Sequence, residues 1–356
     1  MSRGPRKWGH ELKNRTKLFI GYALGLPGTL TILGLVAVIP LFVTDTYALH
    51  FMWKVLFWAV AASAWNIAGG YAGQFSLGHA AFFGIGAYTS TILFTTYNVS
   101  PWLGMLVGAA LAALMSIVLA KLTLRLKGPF FALATIAFAE VLRIIVVNLR
   151  NLTGGSQGIS IEFRPALENM MFSGRAPYLY AMLALLTLVV LATFVLQRSW
   201  FGFSLAAMRE DEEAAEALGV HTVAMKIAST GMSAFLIAVA GTMYAQYILL
   251  IEPSTVMGLD FSIQVAIIAI IGGMATPIGP VLGALLMVPL SEYLRAEFGG
   301  VFQGLYLMVY GWLLMIMVIF MPLGLVSALR DPTGAWRRIL SIFTGRKKRV
   351  RGRKHA

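Results

Sequence analysis

The stretch Ala206-Ala-Met-Arg-Glu-Asp-Glu-Glu-Ala-Ala-Glu-Ala-Leu-Gly-Val220 decides how this chain is read, because of what stands on either side of it. Before it runs Tyr178-Leu-Tyr-Ala-Met-Leu-Ala-Leu-Leu-Thr-Leu-Val-Val-Leu-Ala-Thr-Phe-Val-Leu196, and after it Ile227 to Ile251 is again mostly apolar. Five of the 15 acidic residues, Glu210, Asp211, Glu212, Glu213 and Glu216, fall in this island. Apolar runs of about 20 residues match a hydrocarbon layer ~30 Å thick at ~1.5 Å per residue. Backbone in lipid must satisfy its own hydrogen bonds, so each run is expected to be helical. The island then links two spans and is placed to meet something outside the membrane.

Composition carries the same reading to the whole chain. Its 356 residues are 58% hydrophobic and 12% charged, against roughly 25% charged in a soluble domain. The alternating ten-residue segments of a β-barrel are absent. The expected fold class is an all-α polytopic integral membrane protein. Cysteine is absent, which excludes a disulfide framework, a thiol nucleophile and a thiolate metal site. The long apolar region after the basic N-terminus has no clear small-residue cleavage site, so a cleavable signal peptide is not expected. The net charge of +13 does not mark a nucleic-acid partner, because the basic residues sit in two tails and in short loops. The tail Arg346-Lys-Lys-Arg-Val-Arg-Gly-Arg-Lys354 reads as an anchor near anionic membrane lipid.

Residues 1–17 form a basic segment, 18–325 a transmembrane domain containing an island loop at 197–226, and 326–356 a basic tail. The expected spans are about Leu18–Val43, Leu49–Ala68, Gly78–Tyr97, Trp102–Ala120, Pro129–Asn148, Tyr178–Leu196, Ile227–Ile251, Phe261–Ile271, Val281–Leu294 and Phe302–Met321. Two glycine-rich breaks, Gly69 to Gly78 and Gly272 to Gly283, interrupt the pattern. If both are crossings there are about ten transmembrane helices; eight spans with re-entrant segments have the same parity. With ten, 22 of the 28 Lys and Arg lie on the side of the tails and the island. The positive-inside rule makes that side cytoplasmic and puts both termini there.

Three sets of residues carry candidate chemistry. In the island, Glu210 to Leu218 has strong helix formers, acids near the helix start and Gly219 where a left-handed stop is wanted. It reads as a short cytoplasmic helix with Ala207, Ala214, Ala215 and Leu218 as its apolar contacts; a solvated acidic loop is the bland alternative. In the first break, Gly69, Gly70, Gly73 and Gly78 surround Gln74, Ser76 and His79. Unwound backbone at membrane depth lines a substrate path or packs closely against protein. The second break repeats the pattern loosely, Gly272-Gly273-x-Ala275 against Gly69-Gly70-x-Ala72. Within the fifth span, Glu140 and Arg143 share one helix face and can pair; such charges tend to face a bundle interior. No P-loop, His-Glu-x-x-His or Gly-x-Ser-x-Gly occurs, so any ATP hydrolysis belongs to another polypeptide, and no bound cofactor or metal is expected.

Glu213-Ala-Ala followed by Gly219 has the form of the coupling loop of ABC importer permeases. With Gly70-Tyr-Ala-Gly-Gln-Phe-Ser-Leu-Gly-His-Ala-Ala-Phe-Phe-Gly-Ile-Gly-Ala-Tyr88, Phe138-Ala-Glu-Val-Leu-Arg143, Leu152-Thr-Gly-Gly-Ser-Gln-Gly158, Arg209-Glu-Asp-Glu-Glu-Ala-Ala-Glu-Ala-Leu-Gly219 and the weaker Gly272–Gly283, the chain resembles the M-type permease subunit of bacterial branched-chain amino acid ABC importers. Phe75 and Gln157 stand where Leu and Asn are expected. The resemblance implies an inner-membrane complex with a second permease, paralogous to this one, two ATPase subunits that use ATP, and an extracytoplasmic substrate-binding protein. It implies Arg209, Glu210, Glu213, Ala214, Ala215 and Gly219 as the ATPase-coupling residues. Gly70, Gly73, Gln74, Ser76, His79, Glu140, Gly272 and Gly273 remain the candidate translocation path. Related permeases move urea, short amides or aromatic acids, which are the alternative cargoes. An ion-coupled secondary transporter using Glu140, Arg143 and His79 is the alternative of another class.

Overall fold

A computed structural model describes residues 25–42, 45–123, 126, 128–298, 308–309, 311–312, 314–315 and 324–330. The basic segment 1–17, nearly all of the tail and most of the last expected span lie outside these residues. Apolar length produces helices where expected: α1 (Leu26–Phe42), α2 (Thr46–Asn66), α3 (His79–Tyr97), α4 (Pro101–Thr123), α5 (Pro129–Asn148) and α6 (Arg175–Arg198). The island forms α7 (Trp200–Glu210) and α8 (Glu212–Ala217), and α9 (Thr222–Ile248), α10 (Leu259–Gly272), α11 (Gly279–Phe298) and α12 (Gly324–Arg330) follow. Among the described residues, six helical stretches are long and apolar enough to cross a membrane: 46–71, 101–123, 129–148, 175–198, 222–248 and 253–272. The other long described helices, α1, α3 and α11, fall short of that test; α3 carries His79, Tyr88, Ser90 and Thr91, and α11 carries Glu292, Arg295 and Glu297.

Helix α9 is the hub, packed against α2, α3 and α4. Helices gain little from hydrophobicity when lipid is the alternative, so small residues and hydrogen bonds carry the association. The run Ala59-Val-Ala-Ala-Ser-Ala-Trp-Asn66 of α2 is buried throughout. Gly86 lies under the Ala238 carbonyl, where a Cβ would come within 2.1 Å of the oxygen, and Gly241 lies equally close to the Phe83 carbonyl. Large apolar side chains such as Leu103, Leu106 and Leu114 face outward, as they do in lipid-exposed helices.

The chain reverses at both glycine breaks. His50 bonds Tyr247 at one end of α2, and Ala64 accepts from Ser233 at the other, so α2 runs antiparallel to α9. His79 bonds Ser233 and Gly86 accepts from Thr242, so α3 runs parallel to α9. At the second break, Asn66 meets Thr276 and Lys54 meets Glu292, so α11 is antiparallel to α2. Gly272 against Gly279, and Gly283 against Ile268, make α10 and α11 antiparallel. At the end away from the island, β1 (Ile159–Ser160) pairs with β2 (Leu250–Ile251), Ile159 opposite Ile251.

Candidate coupling and translocation site

The island is two helices rather than one. Asp211, in extended conformation, ends α7 and starts α8, and its Oδ1 accepts from Glu213 N and Ala214 N, both at 3.0 Å. An Asp cap satisfies donors that the first turn leaves open. The stop at Gly219 has φ +87, with Gly219 N donating to Glu216 O at 2.9 Å and Val220 N to Ala215 O at 3.0 Å. These are the two bonds of a Schellman closure. Of the small apolar contacts expected, Ala215 alone is buried; Ala207, Ala214 and Leu218 face outward, Leu218 85% exposed. Helix α7 is anchored instead by Leu205, Met208 and Gly202. The outer surface of the island is therefore acidic with an apolar tip, and Glu210 and Glu213 belong to it.

Arg209 ties the island to the first glycine break. Helix α2 continues past Asn66 as a π turn, Ile67–Tyr71, and then unwinds to Gly78. A π turn leaves the helical register locally shifted and often marks a functional site. Arg209 Nη1 donates to the carbonyl of Gly70 in this turn at 3.0 Å. Gly73, at φ +69, lies beneath the stem of Arg209, where a Cβ would fall 2.7 Å from Cγ. Next to it, Gln74 Oε1 accepts from Thr230 Oγ1 at 2.7 Å and Ser229 Oγ at 3.4 Å, both on α9. Lys226 at the start of α9 pairs with Glu212 of the island, and Thr222 bonds Glu216. Gly73, Gln74, Phe75, Arg209, Glu212 and Lys226 line a cavity of about 330 Å³ between the break, the island and α9.

The remaining expected path residues lie elsewhere. Ser76 is fully buried; its carbonyl accepts from Trp65 Nε1 at 2.7 Å and its Oγ from Gly78 N at 3.3 Å. His79 is buried with Nε2 2.8 Å from Ser233 Oγ, whose hydroxyl donates to Ala64 O. Gly272 and Gly273 are in the second break, where a Cβ on Gly272 would meet Gly279 O at 1.8 Å. Glu140 and Arg143 pair with each other on the open side of α5, not toward the bundle interior. A carboxylate–guanidinium fork within one helix needs no interior partner, and the inner line of α5 is filled by Phe131, Thr135 and Ala139.

Two groups that the spacing argument passed over organise the site. Asn66 Nδ2 donates to Thr276 O at 3.0 Å and its Oδ1 accepts from Ala275 N at 2.9 Å, so it clamps the second break against the first. Thr135 Oγ1 accepts from Leu77 N at 3.0 Å and holds the unwound segment on α5. An Asn inside an apolar run, three residues before Gly69-Gly70, was the available signal of the clamp and went unused. Among the described residues no group of His, Cys, Asp or Glu could hold a metal ion.

A helical bundle with broken spans, a polar cavity at a break and a polar helix pair bonded into it has the make-up of a polytopic membrane transport subunit. Residues 47–318 match the family model described as branched-chain amino acid transport system / permease component, and the chain belongs to that family. It is 30% identical over 290 residues to the high-affinity branched-chain amino acid transport system permease protein LivM of Escherichia coli (strain K12), covering 74% of this chain and 66% of that one. It is 24% identical to the probable LivM of Methanocaldococcus jannaschii, over 79% of this chain and 93% of that one. The nucleoside ABC transporter permease protein NupC of Lactococcus lactis is 29% identical over 57% of this chain and 67% of its own. No solved structure shows a significant match.

Proposed function

We propose that this chain is the permease subunit of an ABC importer for branched-chain amino acids. ATP is hydrolysed on two separate ATPase subunits, and a second permease completes the path. An extracytoplasmic binding protein delivers the cargo. Both termini and the island lie on the cytoplasmic side of a bacterial inner membrane. The observation that carries the reading is the bond from Arg209 in the island to the Gly70 carbonyl in the broken span. An ATPase that grips the acidic outer surface and Leu218 moves Arg209, and Arg209 moves the backbone beside the cavity. The island is where force enters, and the cavity between Gln74, Phe75 and Lys226 is the cytoplasmic mouth of the path.

Reconstitution tests it. With ATPases, second permease and binding protein in proteoliposomes, uptake should require ATP and survive collapse of ion gradients. Gradient-driven uptake by this chain alone would sink the importer reading and favour the secondary transporter. Glu213→Lys should weaken ATPase capture by reversing a charge on the outer surface. Gly219→Pro should do the same, since proline fixes φ near −65° and cannot reach +87. Normal pull-down and uptake by both variants would remove the island from the coupling role. The likeness to the Lactococcus permease keeps nucleosides as a second cargo class, and direct ligand screening of the binding protein separates the two.

A further inference from the structure

Span α5 is the least buried of the membrane-length helices, with 22% of its apolar window covered. It rests on the bundle along one narrow line, Phe131, Thr135 and Ala139. On the other side Phe130, Leu133, Ala137, Val141 and Ile144 are exposed at spacings of three and four, which places them on one helix face. A purely apolar stripe of this kind would suit lipid. This one carries Glu140 on its edge, between Ala137 and Val141 along the axis, and Arg143 further round, joined by Arg143 Nε donating to Glu140 Oε2 at 2.9 Å. The side chains of Glu140 and Arg143 are still 47% and 31% exposed. At ~1.5 Å per residue, Glu140 lies about 16 Å along the axis from Pro129 and about 12 Å from Asn148. Its short side chain reaches neither membrane interface. Charged groups at that depth face protein or water rather than hydrocarbon.

We propose that this stripe of α5 is the face on which the second permease packs, with Glu140 and Arg143 along its flank. The inference rests on the importer reading above, which calls for a second permease. The occupant is a permease chain of the same fold that brings one hydrogen-bond donor to Glu140 and one acceptor to Arg143. In an importer whose two permeases both turn their islands to the ATPases, the facing helices share one direction, so polar groups at the same depth of the partner meet this pair. The flanking apolar residues supply the packing, and the charge pair fixes the register, since a slip along the helix would bury both charges against apolar side chains.

The chain has no cysteine, so a single Cys gives one addressable site. Val141→Cys and Ile144→Cys, coupled to a benzophenone maleimide in membranes holding the complete importer, should cross-link to a protein of permease size on illumination. Leu188→Cys on α6, equally bare at 56% exposure, should label lipid and give no such band. The proposal is overturned if the α5 sites label only lipid, or if Leu188→Cys captures the permease and they do not. Glu140→Ala combined with Arg143→Ala removes both charges from an exposed face, so the chain should still fold. Most of the cross-linked band should then be lost; an unchanged band would reduce the pair to a local helix contact and overturn its place at the interface. ATP-driven uptake is measured in the same membranes. Intact uptake with lipid-facing α5 sites overturns the interface alone, whereas uptake without ATP overturns the importer reading itself.

Discussion

Gly69-Gly70-x-Ala72 and Gly272-Gly273-x-Ala275 are written alike, lie in contact, and do different things. The first carries α2 through a π turn and leaves the Gly70 carbonyl within reach of a side chain 139 positions away. The second is a closed reversal, with Gly272 pressed on the Gly279 carbonyl and Gly283 on that of Ile268. Asn66 joins them, bonding Ala275 and Thr276 from the helix that runs into the first break. Glycine serves close packing in both, since a Cβ on Gly70 would fall 1.9 Å from Asn66 Oδ1 and 2.7 Å from Ala275 N, but only the first also leaves a carbonyl open to an arriving side chain. What separates the two is the arriving side chain: backbone fills the space at Gly272, and the flexible stem of Arg209 fills it at Gly73.

The contrast can be broken in a graded way. Gly272→Val should have the largest effect, because its branched side chain starts 1.8 Å from a backbone oxygen that cannot move aside. A cost of about 3 kcal/mol or more is expected, seen as loss of folded protein in detergent. Asn66→Ala should follow at about 2 kcal/mol, since it leaves the half-buried Ala275 N–H and Thr276 carbonyl unpaired. Its thermal midpoint should fall while uptake per folded molecule stays near normal. Arg209→Ala should do the reverse: uptake down by about tenfold, the equivalent of ~1.4 kcal/mol, with little change in midpoint. Arg209→Lys should be intermediate, keeping the charge and losing the fork. If Arg209→Ala unfolds the protein as readily as Asn66→Ala, the two breaks are alike and the distinction fails. The smallest effect should come from Ala275→Gly. Ala275 sits at φ +55, and relieving a left-handed alanine should add about 1 kcal/mol of stability, read as a higher thermal midpoint.

Six of the expected spans, their helical form and the stop at Gly219 were legible because each is local: apolar length, backbone satisfaction, and one residue type that tolerates positive φ. The division of the island at Asp211 was missed, since Glu, Ala and Leu on both sides all favour helix. The cue was an Asp followed at two and three residues by the N–H groups that it caps. The link from Arg209 to Gly70 had no cue in spacing, because nothing in either segment specifies the other. The pairing of Glu140 with Arg143 was legible in their spacing of three, whereas the side of the bundle that they face was not, because spacing fixes a shared face and not the direction in which the helix turns it.

At ~1.5 Å per residue, the 27 residues of α9 form a rod about 40 Å long. One end carries Lys226, held by Glu212 of the island, and just past the other end Leu250 and Ile251 are laced to the loop at Ile159 and Ser160. A stiff rod fastened at both tips cannot slide or tilt at one without showing it at the other. A reporter on that strand pair should therefore register what happens at the island, and a clamp on the pair should resist it.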